Sequence, residues 1–264
     1  MEITDTFIPT AGTAGLLAMV TYFFLQVAMY GFLASFIFSL TVRDQLHSEQ
    51  RSTFLLTALA SAVAGLVYYQ IQNHYVISLS ELATITDSND RQTSIREAYN
   101  AVGQYRYVSW FVTSPLLVIQ LLSFLAVPWE RIKRQYAGLL MAVLFMFLAS
   151  YIGHQQLSFD NEIQTGPKLT WGLIALIDYV FIVFTLNRLW KDLGTQLPAI
   201  PQGTFRLSMF LLLSVWGVYL VGYFLTLLRL DFNWIHITFT LADIVGILVI
   251  GVIRYLTTIK PLKS

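Results

Sequence analysis

The 264-residue chain has no cysteine and few charged residues. Without cysteine it can form no disulfide bond, no thiolate metal site and no thiol nucleophile. Only 12% of its residues are Asp, Glu, Lys or Arg, which is about half the share found in a typical soluble domain. The composition therefore excludes thiol chemistry and argues against a soluble globular protein.

The chain also lacks the motifs of soluble enzymes. Its four histidines show no metal-ligand spacing, and we predict that they lie near helix ends or in loops: His47, His74, His154 and His236. There is no phosphate-binding glycine loop and no nucleophile elbow. The basic residues are scattered, which does not favour a nucleic-acid-binding surface. We therefore expect no enzyme, no metal site and no nucleic-acid partner.

Long apolar runs dominate what the chain does contain. Apolar residues make up 56% of it, and its mean hydropathy is +0.63. A helix needs about 20 mostly apolar residues to span a lipid bilayer. Seven segments meet this length: Thr13–Val42, Thr53–Val76, Tyr99–Val127, Arg134–Gln155, Leu169–Leu189, Phe205–Leu228 and Trp234–Leu256. The pattern predicts an all-α bundle of seven transmembrane helices, with residues 1–264 forming a single membrane domain.

The distribution of positive charge predicts the orientation of this bundle. With the N-terminus outside, eleven Lys and Arg residues fall on the inner side and four on the outer side, and Arg106 remains in the interior. The positive-inside rule therefore predicts an outer N-terminus and an inner C-terminus. The segment Met1–Asp5 has no basic region, so we expect the first helix to act as its own insertion signal. The longest outer connection, Ser78–Arg96, is expected to form a small hairpin or cap.

Three charged residues are predicted inside the apolar segments, where a charge costs about 2.5–3.5 kcal/mol at the centre of a helix. Arg106 and Asp243 have opposite signs and lie toward the outer ends of helices three and seven, so we expect a buried ion pair. This pair either only locks the two helices together or lines an outer gate. Asp178 has no evident partner; it is protonated, faces water or meets a neighbouring subunit.

Helix three carries the most specific motif. It reads Arg106-Tyr107-Val108-Ser109-Trp110-Phe111-Val112-Thr113-Ser114-Pro115-Leu116-Leu117-Val118-Ile119-Gln120. This resembles the helix-three signature of microbial rhodopsins. In helix six, Trp216, Tyr219 and Tyr223 resemble the aromatic residues that enclose retinal in that family, although Leu220 stands where proline is usual. Residues 68–73 and 151–153 resemble the xanthorhodopsin and sodium-pump branch.

Helix seven departs from the family at its most important position. It keeps Asp243 but has Ile247 where the family carries the lysine that binds retinal. A Schiff base needs a primary amine, and we predict that all five lysines lie at segment ends or in loops: Lys133, Lys168, Lys191, Lys260 and Lys263. The resemblance therefore implies no covalent retinal and a vestigial pocket formed by Trp110, Trp216, Tyr219, Tyr223 and Ile247.

Two further features bear on function. In the family, the positions of Ser109, Thr113 and Gln120 decide which ion is transported, and their neutral residues are nearest to the chloride-pump pattern. Gly172 stands where xanthorhodopsin-like proteins open a window for a carotenoid antenna. Close helix packing is the alternative reason for a glycine there, and we favour it.

The resemblance leaves two classes of function. In the first, the protein binds free retinal, a carotenoid or another isoprenoid, or is the partner subunit of a lysine-bearing rhodopsin. In the second, it is a transporter or channel for small anions that uses Arg106, Ser109 and Thr113. In either case it is not a light-driven pump on its own. The resemblance also implies a homo-oligomer, a trimer or pentamer, in the bacterial inner membrane.

Overall fold

The computed structural model describes residues 7–43, 48–125, 127–158, 162–228 and 230–259, so the expectation for Met1–Asp5 lies outside the described residues. The helices are α1 Leu16–Arg43, α2 Ser48–Leu82, α3 Ser88–Leu122, α4 Trp129–His154, α5 Thr165–Asp192, α6 Ala199–Leu225, α7 Phe232–Asp243 and α8 Ile250–Ile259. A π-helical segment, Ile244–Val249, joins α7 to α8. Seven spans in this part of the chain are long and apolar enough to cross a membrane. The predicted seven-helix bundle is confirmed.

The helices form one closed bundle in which each packs against its neighbour in sequence. Helix α1 also packs against α7, which brings the two ends of the series together. The interior between them is apolar, and its fully buried side chains include Phe32, Ile71, Val118, Leu139, Leu186 and Phe205. The protein is therefore an integral membrane protein whose polar interior residues must be held by other side chains.

The connection between α2 and α3 is shorter than predicted. Helix α2 continues to Leu82 and α3 begins at Ser88, so the expected hairpin or cap over Ser78–Arg96 is wrong. The cause is Asp87, whose side chain accepts hydrogen bonds from the backbone N–H groups of Asn89 and Asp90 at 2.8 and 3.1 Å. This N-cap starts α3 well before its apolar part. An isolated antiparallel β-bridge occurs instead between α4 and α5, where Leu157 pairs with Ile163.

The seventh span changes its winding beside Asp243. Helix α7 ends at Asp243, and the six residues of the π-helical segment follow before α8 resumes the α-helical winding. Short π segments are rare in proteins, and those that do occur are often found at functional sites. Asp243 and Ile247 are both buried, at 4% and 5% exposure. The two residues that the sequence indicated on this span, Asp243 and Ile247, are therefore both in the interior of the bundle.

Helix α5 presents an apolar face on the outside of the bundle. Its exposed side chains include Leu173, Ile177, Val180, Phe181 and Phe184. A helix that faces lipid exposes such residues because it gains nothing by turning them inward. Asp178 lies on this helix with intermediate exposure. A carboxyl group therefore stands at the edge of an otherwise apolar surface.

Candidate functional site

The carboxylate of Asp243 is the centre of the candidate site. Its Oδ1 accepts hydrogen bonds from Trp110 Nε1 at 2.7 Å and from the Tyr219 hydroxyl at 2.5 Å. Its Oδ2 accepts from the Tyr68 hydroxyl at 2.6 Å and from Arg106 Nη1 at 3.2 Å. The predicted Arg106–Asp243 ion pair is present in the structure. Four donors from α2, α3 and α6 therefore converge on one buried carboxylate of α7.

The guanidinium of Arg106 joins the same network and is only 2% exposed. Besides Asp243, its Nη1 donates to the Tyr68 hydroxyl at 2.7 Å. Its Nη2 donates to Thr240 Oγ1 at 2.8 Å and to the backbone carbonyl of His236 at 3.3 Å. Both terminal nitrogens are thus engaged by α2 and α7. The sequence indicated Tyr68 only through the family resemblance of residues 68–73, and nothing in the local pattern linked it to Asp243.

The aromatic residues of the predicted pocket divide into two groups. Trp110 and Tyr219 stack face to face, with ring centroids 4.1 Å apart and planes tilted by 20°. Phe147 approaches both rings and also Trp216, whose ring is 6.4 Å away. Tyr223 lies nearer to α5, where its hydroxyl donates to the backbone carbonyl of Lys168 at 2.6 Å. Trp110 and Tyr219 thus contact each other directly.

The residues present do not fit a covalent retinal at the family position. Ile247 is a hydrocarbon side chain buried in the π-helical segment, and it offers no amine. Lys168 lies in the first turn of α5, at a segment end as expected, but its burial was not predicted. It is 1% exposed and has its Nζ 5.3 Å from the centre of the Tyr223 ring. Its position one turn into the helix gave no sign of this burial, since lysines near helix ends usually reach water.

Ser109, Thr113 and Gln120 lie buried along the inner face of α3. Thr113 Oγ1 donates to the backbone carbonyl of Ser109 at 2.9 Å. Below them, Arg254 of α8 donates to the backbone carbonyl of Gln120 at 2.8 Å and lies 4.3 Å from the Phe124 ring. The charge distribution placed Arg254 among the basic residues of the inner loops and tail, where its side chain would reach water. In the structure this side chain is buried and only 8% exposed. Two buried arginines, Arg106 and Arg254, therefore lie at the two ends of this polar series.

Of the four histidines, His154 lies at a helix end as expected, His74 lies inside α2 against the expectation, and His47 lies outside the described residues. The burial of His154 and His236 was not predicted. His154, the last residue of α4, is 2% exposed, and its Nε2 lies 3.1 Å from the backbone carbonyl of Asn100. His236 in α7 is 4% exposed. A methyl group on Gly103 would lie only 2.2 Å from His154 Nε2, so this glycine leaves the space that the imidazole fills. The sequence around His154 and His236 did not predict that these two side chains are buried.

Gly172 has a packing role in the structure. A methyl group at this position would lie 2.5 Å from a carbon of the Tyr223 ring and 2.7 Å from one of the Phe224 ring. The absence of a side chain therefore lets two aromatic rings of α6 lie directly on α5. A carotenoid antenna at this position stays a prediction, and it would have to displace one of these rings.

Comparison with known proteins agrees with this geometry. Residues 18–260 match the family of bacteriorhodopsin-like proteins. The chain belongs to this family. Over 238 residues it is 22% identical to the green-light absorbing proteorhodopsin of Gamma-proteobacterium EBAC31A08. This match covers 86% of the chain and 82% of that relative.

Solved structures of rhodopsins show the same fold. Xanthorhodopsin, described as a light-driven ion pump with dual chromophore, superposes with a TM-score of 0.75 at 20% identity, covering 93% of this chain and 94% of that one. The rhodopsin of Exiguobacterium sibiricum gives a TM-score of 0.74 at 21% identity, covering 91% and 96%. This bacteriorhodopsin-like protein therefore has the complete seven-helix rhodopsin bundle.

Proposed function

We propose that this protein is a member of the bacteriorhodopsin-like family that forms no covalent retinal Schiff base through its seventh helix and is no light-driven pump on its own. It acts as a partner subunit of a lysine-bearing rhodopsin or binds a free isoprenoid, in the bacterial inner membrane. The observation that carries this proposal is the environment of Asp243. Its two oxygens are held by four protein donors, while Ile247 lies buried on the same span.

A buried carboxylate is costly unless it is paired and hydrogen-bonded. In this protein Arg106 supplies the opposite charge, and Tyr68, Trp110 and Tyr219 supply the remaining donors. A charged Schiff base is therefore not needed to stabilise Asp243. Neutral Ser109 fits the same logic, because a carboxylate there would add a second buried negative charge without a partner.

The packing of the aromatic residues favours the partner role over the ligand role. With their centroids 4.1 Å apart, the rings of Trp110 and Tyr219 are in van der Waals contact. Retinal, a carotenoid or another isoprenoid must part these rings to lie between them, which loses the stacking and strains two hydrogen bonds to Asp243. A partner subunit that packs on the apolar outer face of α5 requires no such change.

The proposal predicts the outcome of reconstitution with retinal. Purified protein is incubated with all-trans retinal, treated with borohydride and analysed by mass spectrometry, with the green-light absorbing proteorhodopsin as a positive control. We expect the control to gain the mass of reduced retinal and this protein to gain none. Residues 230–259 contain no lysine, so an adduct of one retinal per chain would lie on a lysine elsewhere, such as Lys168, and would contradict the expectation that this protein holds no covalent retinal.

The partner role is tested by co-expression. This protein, carrying an affinity tag, is expressed with an untagged lysine-bearing rhodopsin of the same host and purified in mild detergent. We expect the coloured rhodopsin to co-purify in a fixed ratio. The partner role is contradicted if an unrelated seven-helix protein is retained to the same extent, or if the tagged protein is recovered alone. Binding of a free isoprenoid is then the remaining role.

A second candidate function is supported by the two buried arginines. Arg106 and Arg254 lie at the ends of a series of neutral polar residues on α3, which includes Ser109, Thr113 and Gln120. Such a series suits passage of a small anion such as chloride, because it has arginines at both ends and its α3 residues include no carboxylate. The Asp243 carboxylate beside it is paired with Arg106. In liposomes we expect chloride flux, and we expect Ser109→Asp to abolish it through repulsion. Equal flux in both proteins contradicts this candidate.

A further inference from the structure

Three polar side chains of α2 face outward from the bundle and form what we call the α2 stripe: Tyr69, Gln70 and Asn73. Tyr69 is 55% exposed, and the two amides are exposed as well. Their spacing of three and four residues places them on one face of the helix, inside the apolar span Arg51–Leu82. Their side chains form no hydrogen bond with any described residue. Polar groups that face lipid bond to neighbouring helices, so the stripe has donors available to another molecule.

Asp178 is an unpaired polar group on a different side of the bundle. It lies on α5 beside the exposed apolar side chains of Ile177 and Phe181, and its carboxyl group forms no ion pair with any described residue. Helix α2 packs mainly against α1 and α3, whereas α5 packs against α4 and α6. The stripe and Asp178 therefore do not meet within one chain. Amides and hydroxyls donate hydrogen bonds and a carboxylate accepts them, so the two faces are chemically complementary.

The depth of the α2 stripe in the bundle is marked by Tyr68, the residue before Tyr69. The Tyr68 hydroxyl donates to the carboxylate of Asp243 at 2.6 Å. The hydroxyl of Tyr219 on α6 donates to the same carboxylate at 2.5 Å. Tyr219 therefore marks on α6 the level at which the stripe lies.

The depth of Asp178 is marked on the same helix by its neighbour Tyr179. The Tyr179 hydroxyl would lie 2.9 Å from a methyl group on Gly217 of α6. Gly217 and Tyr219 are two residues apart, which is about 3 Å along a helix axis. The stripe and Asp178 thus lie at the same level to within about one helical turn. In two chains that stand side by side in one membrane, they can face each other.

We infer that the α2 stripe binds the α5 face around Asp178 of a second copy of this chain. The hydroxyl and amide groups of the stripe donate to the carboxyl group of the neighbour, and exposed apolar side chains of both helices pack beside them. Each copy uses two different surfaces, and a head-to-tail contact of this kind generates a ring when its rotation closes. The inference does not rest on the proposed function, since such a ring needs neither a lysine-bearing rhodopsin nor a ligand.

The absence of cysteine makes this contact directly testable, because introduced cysteines form the only disulfides. Leu66 lies on the face of the stripe and Phe181 on the face of Asp178, and both are exposed. Because α2 and α5 run in opposite directions, positions 66 and 181 are displaced the same way from Tyr69 and Asp178, by three residues each. Membranes that contain the double variant Leu66→Cys/Phe181→Cys are oxidised with copper phenanthroline. We expect a ladder of disulfide-linked species on a denaturing gel.

The controls use cysteines that the contact keeps apart. Each single variant, Leu66→Cys or Phe181→Cys, should stay monomeric because the two faces are unlike. The pair Leu66→Cys/Leu173→Cys should not cross-link either, because position 173 is exposed on the same helix but lies eight residues from position 181, about 12 Å along the axis. A double variant without a ladder overturns the inference. Equal cross-linking of the Leu173 pair, or of Leu66→Cys alone, also overturns it.

A second measurement tests the polar groups themselves. The variant Gln70→Leu/Asn73→Leu keeps the interior of the bundle unchanged but removes two donors of the stripe. Native mass spectrometry from nanodiscs should show its population shifted toward smaller species. Thr238→Leu is the matched control, because Thr238 is an exposed polar residue of α7, and it should assemble as the wild type does. If the double leucine variant also assembles like the wild type, the stripe does not hold the neighbouring copy and the assignment is wrong.

Discussion

The stability of Asp243 depends on residues that are far apart in sequence. Tyr68 is 175 positions away and Arg106 is 137 positions away, yet both contact the same carboxylate oxygen. Burial makes each of these contacts important, because no water is available to replace a lost donor. The ion pair therefore holds α3 against α7, and Tyr68 attaches α2 to the same point.

Asp243→Asn should destabilise the protein strongly. The substitution leaves the buried Arg106 without its opposite charge, and breaking one partner of a buried pair costs about 3–5 kcal/mol. The measurement is the free energy of unfolding in mixed micelles, with helix content as the signal.

The matched control for this substitution is Glu162→Gln. It breaks the Arg96–Glu162 pair, which has the same N–O distance of 3.2 Å but lies at the surface, with Glu162 68% exposed. An exposed pair contributes at most about 1 kcal/mol. If the two substitutions cost the same, burial of the Arg106–Asp243 pair has no structural role.

The sequence predicted the ion pair but not the whole network. Opposite signs at the outer ends of two apolar segments were enough to pair Arg106 with Asp243. The burial of Lys168 and Arg254 could not be predicted, because a long basic side chain near a helix end normally reaches water. Whether it does so depends on which rings of other helices cover it, here Tyr223 and Phe124.

Helix positions follow from hydropathy, whereas helix ends follow from local hydrogen bonding. The cap at Asp87 extends α3 beyond its apolar part, so most of the segment that the sequence assigned to a loop is helical. The π-helical segment after Asp243 was not predicted either, since its residues are ordinary apolar helix formers. Close packing of helices likewise depends on single glycines whose neighbours come from other helices.

Gly172→Ala should destabilise the contact between α5 and α6. Its methyl group would lie 2.5 Å from the Tyr223 ring and 2.7 Å from the Phe224 ring, and overpacking of this kind costs about 1–3 kcal/mol. Unfolding of the purified variant is followed by tryptophan fluorescence.

Gly203→Ala provides the comparison for that substitution. Gly203 lies in α6, and a methyl group there would meet no other atom within 4 Å. Alanine is the better helix former by about 1 kcal/mol, so this variant should be as stable as the wild type or more stable. Equal stability of the Gly172 variant and the wild type argues that the glycine serves a ligand such as a carotenoid and not helix packing.

At the scale of the whole molecule, the bundle buries its polar network and exposes apolar residues to lipid. The number and order of the spans were predicted from the sequence because each apolar run is long enough for the bilayer. The family was indicated by the motif on helix three. Function was not predictable to the same depth, since an isoleucine at position 247 excludes an amine there without selecting another chemistry.

Self-association is expected from the outer surface of α5. Asp178 lies partly exposed on this apolar helix, and a carboxyl group in the membrane is costly unless it meets a polar partner. We expect a homo-oligomer, a trimer or pentamer, by native mass spectrometry from nanodiscs, and we expect Asp178→Leu to shift the population toward smaller species. A strict monomer at all protein concentrations contradicts this expectation.

The absence of covalent chromophore chemistry is tested most directly by one absorption measurement on the wild type and on Ile247→Lys, each reconstituted with all-trans retinal. The account predicts no red-shifted band for the wild type. For Ile247→Lys it predicts a visible band that shifts with chloride concentration, because Ser109 supplies no carboxylate and Asp243 is already engaged by Arg106. A colourless variant would show that the pocket has been lost together with the lysine. A red-shifted band in the wild-type protein that survives denaturation would contradict the account.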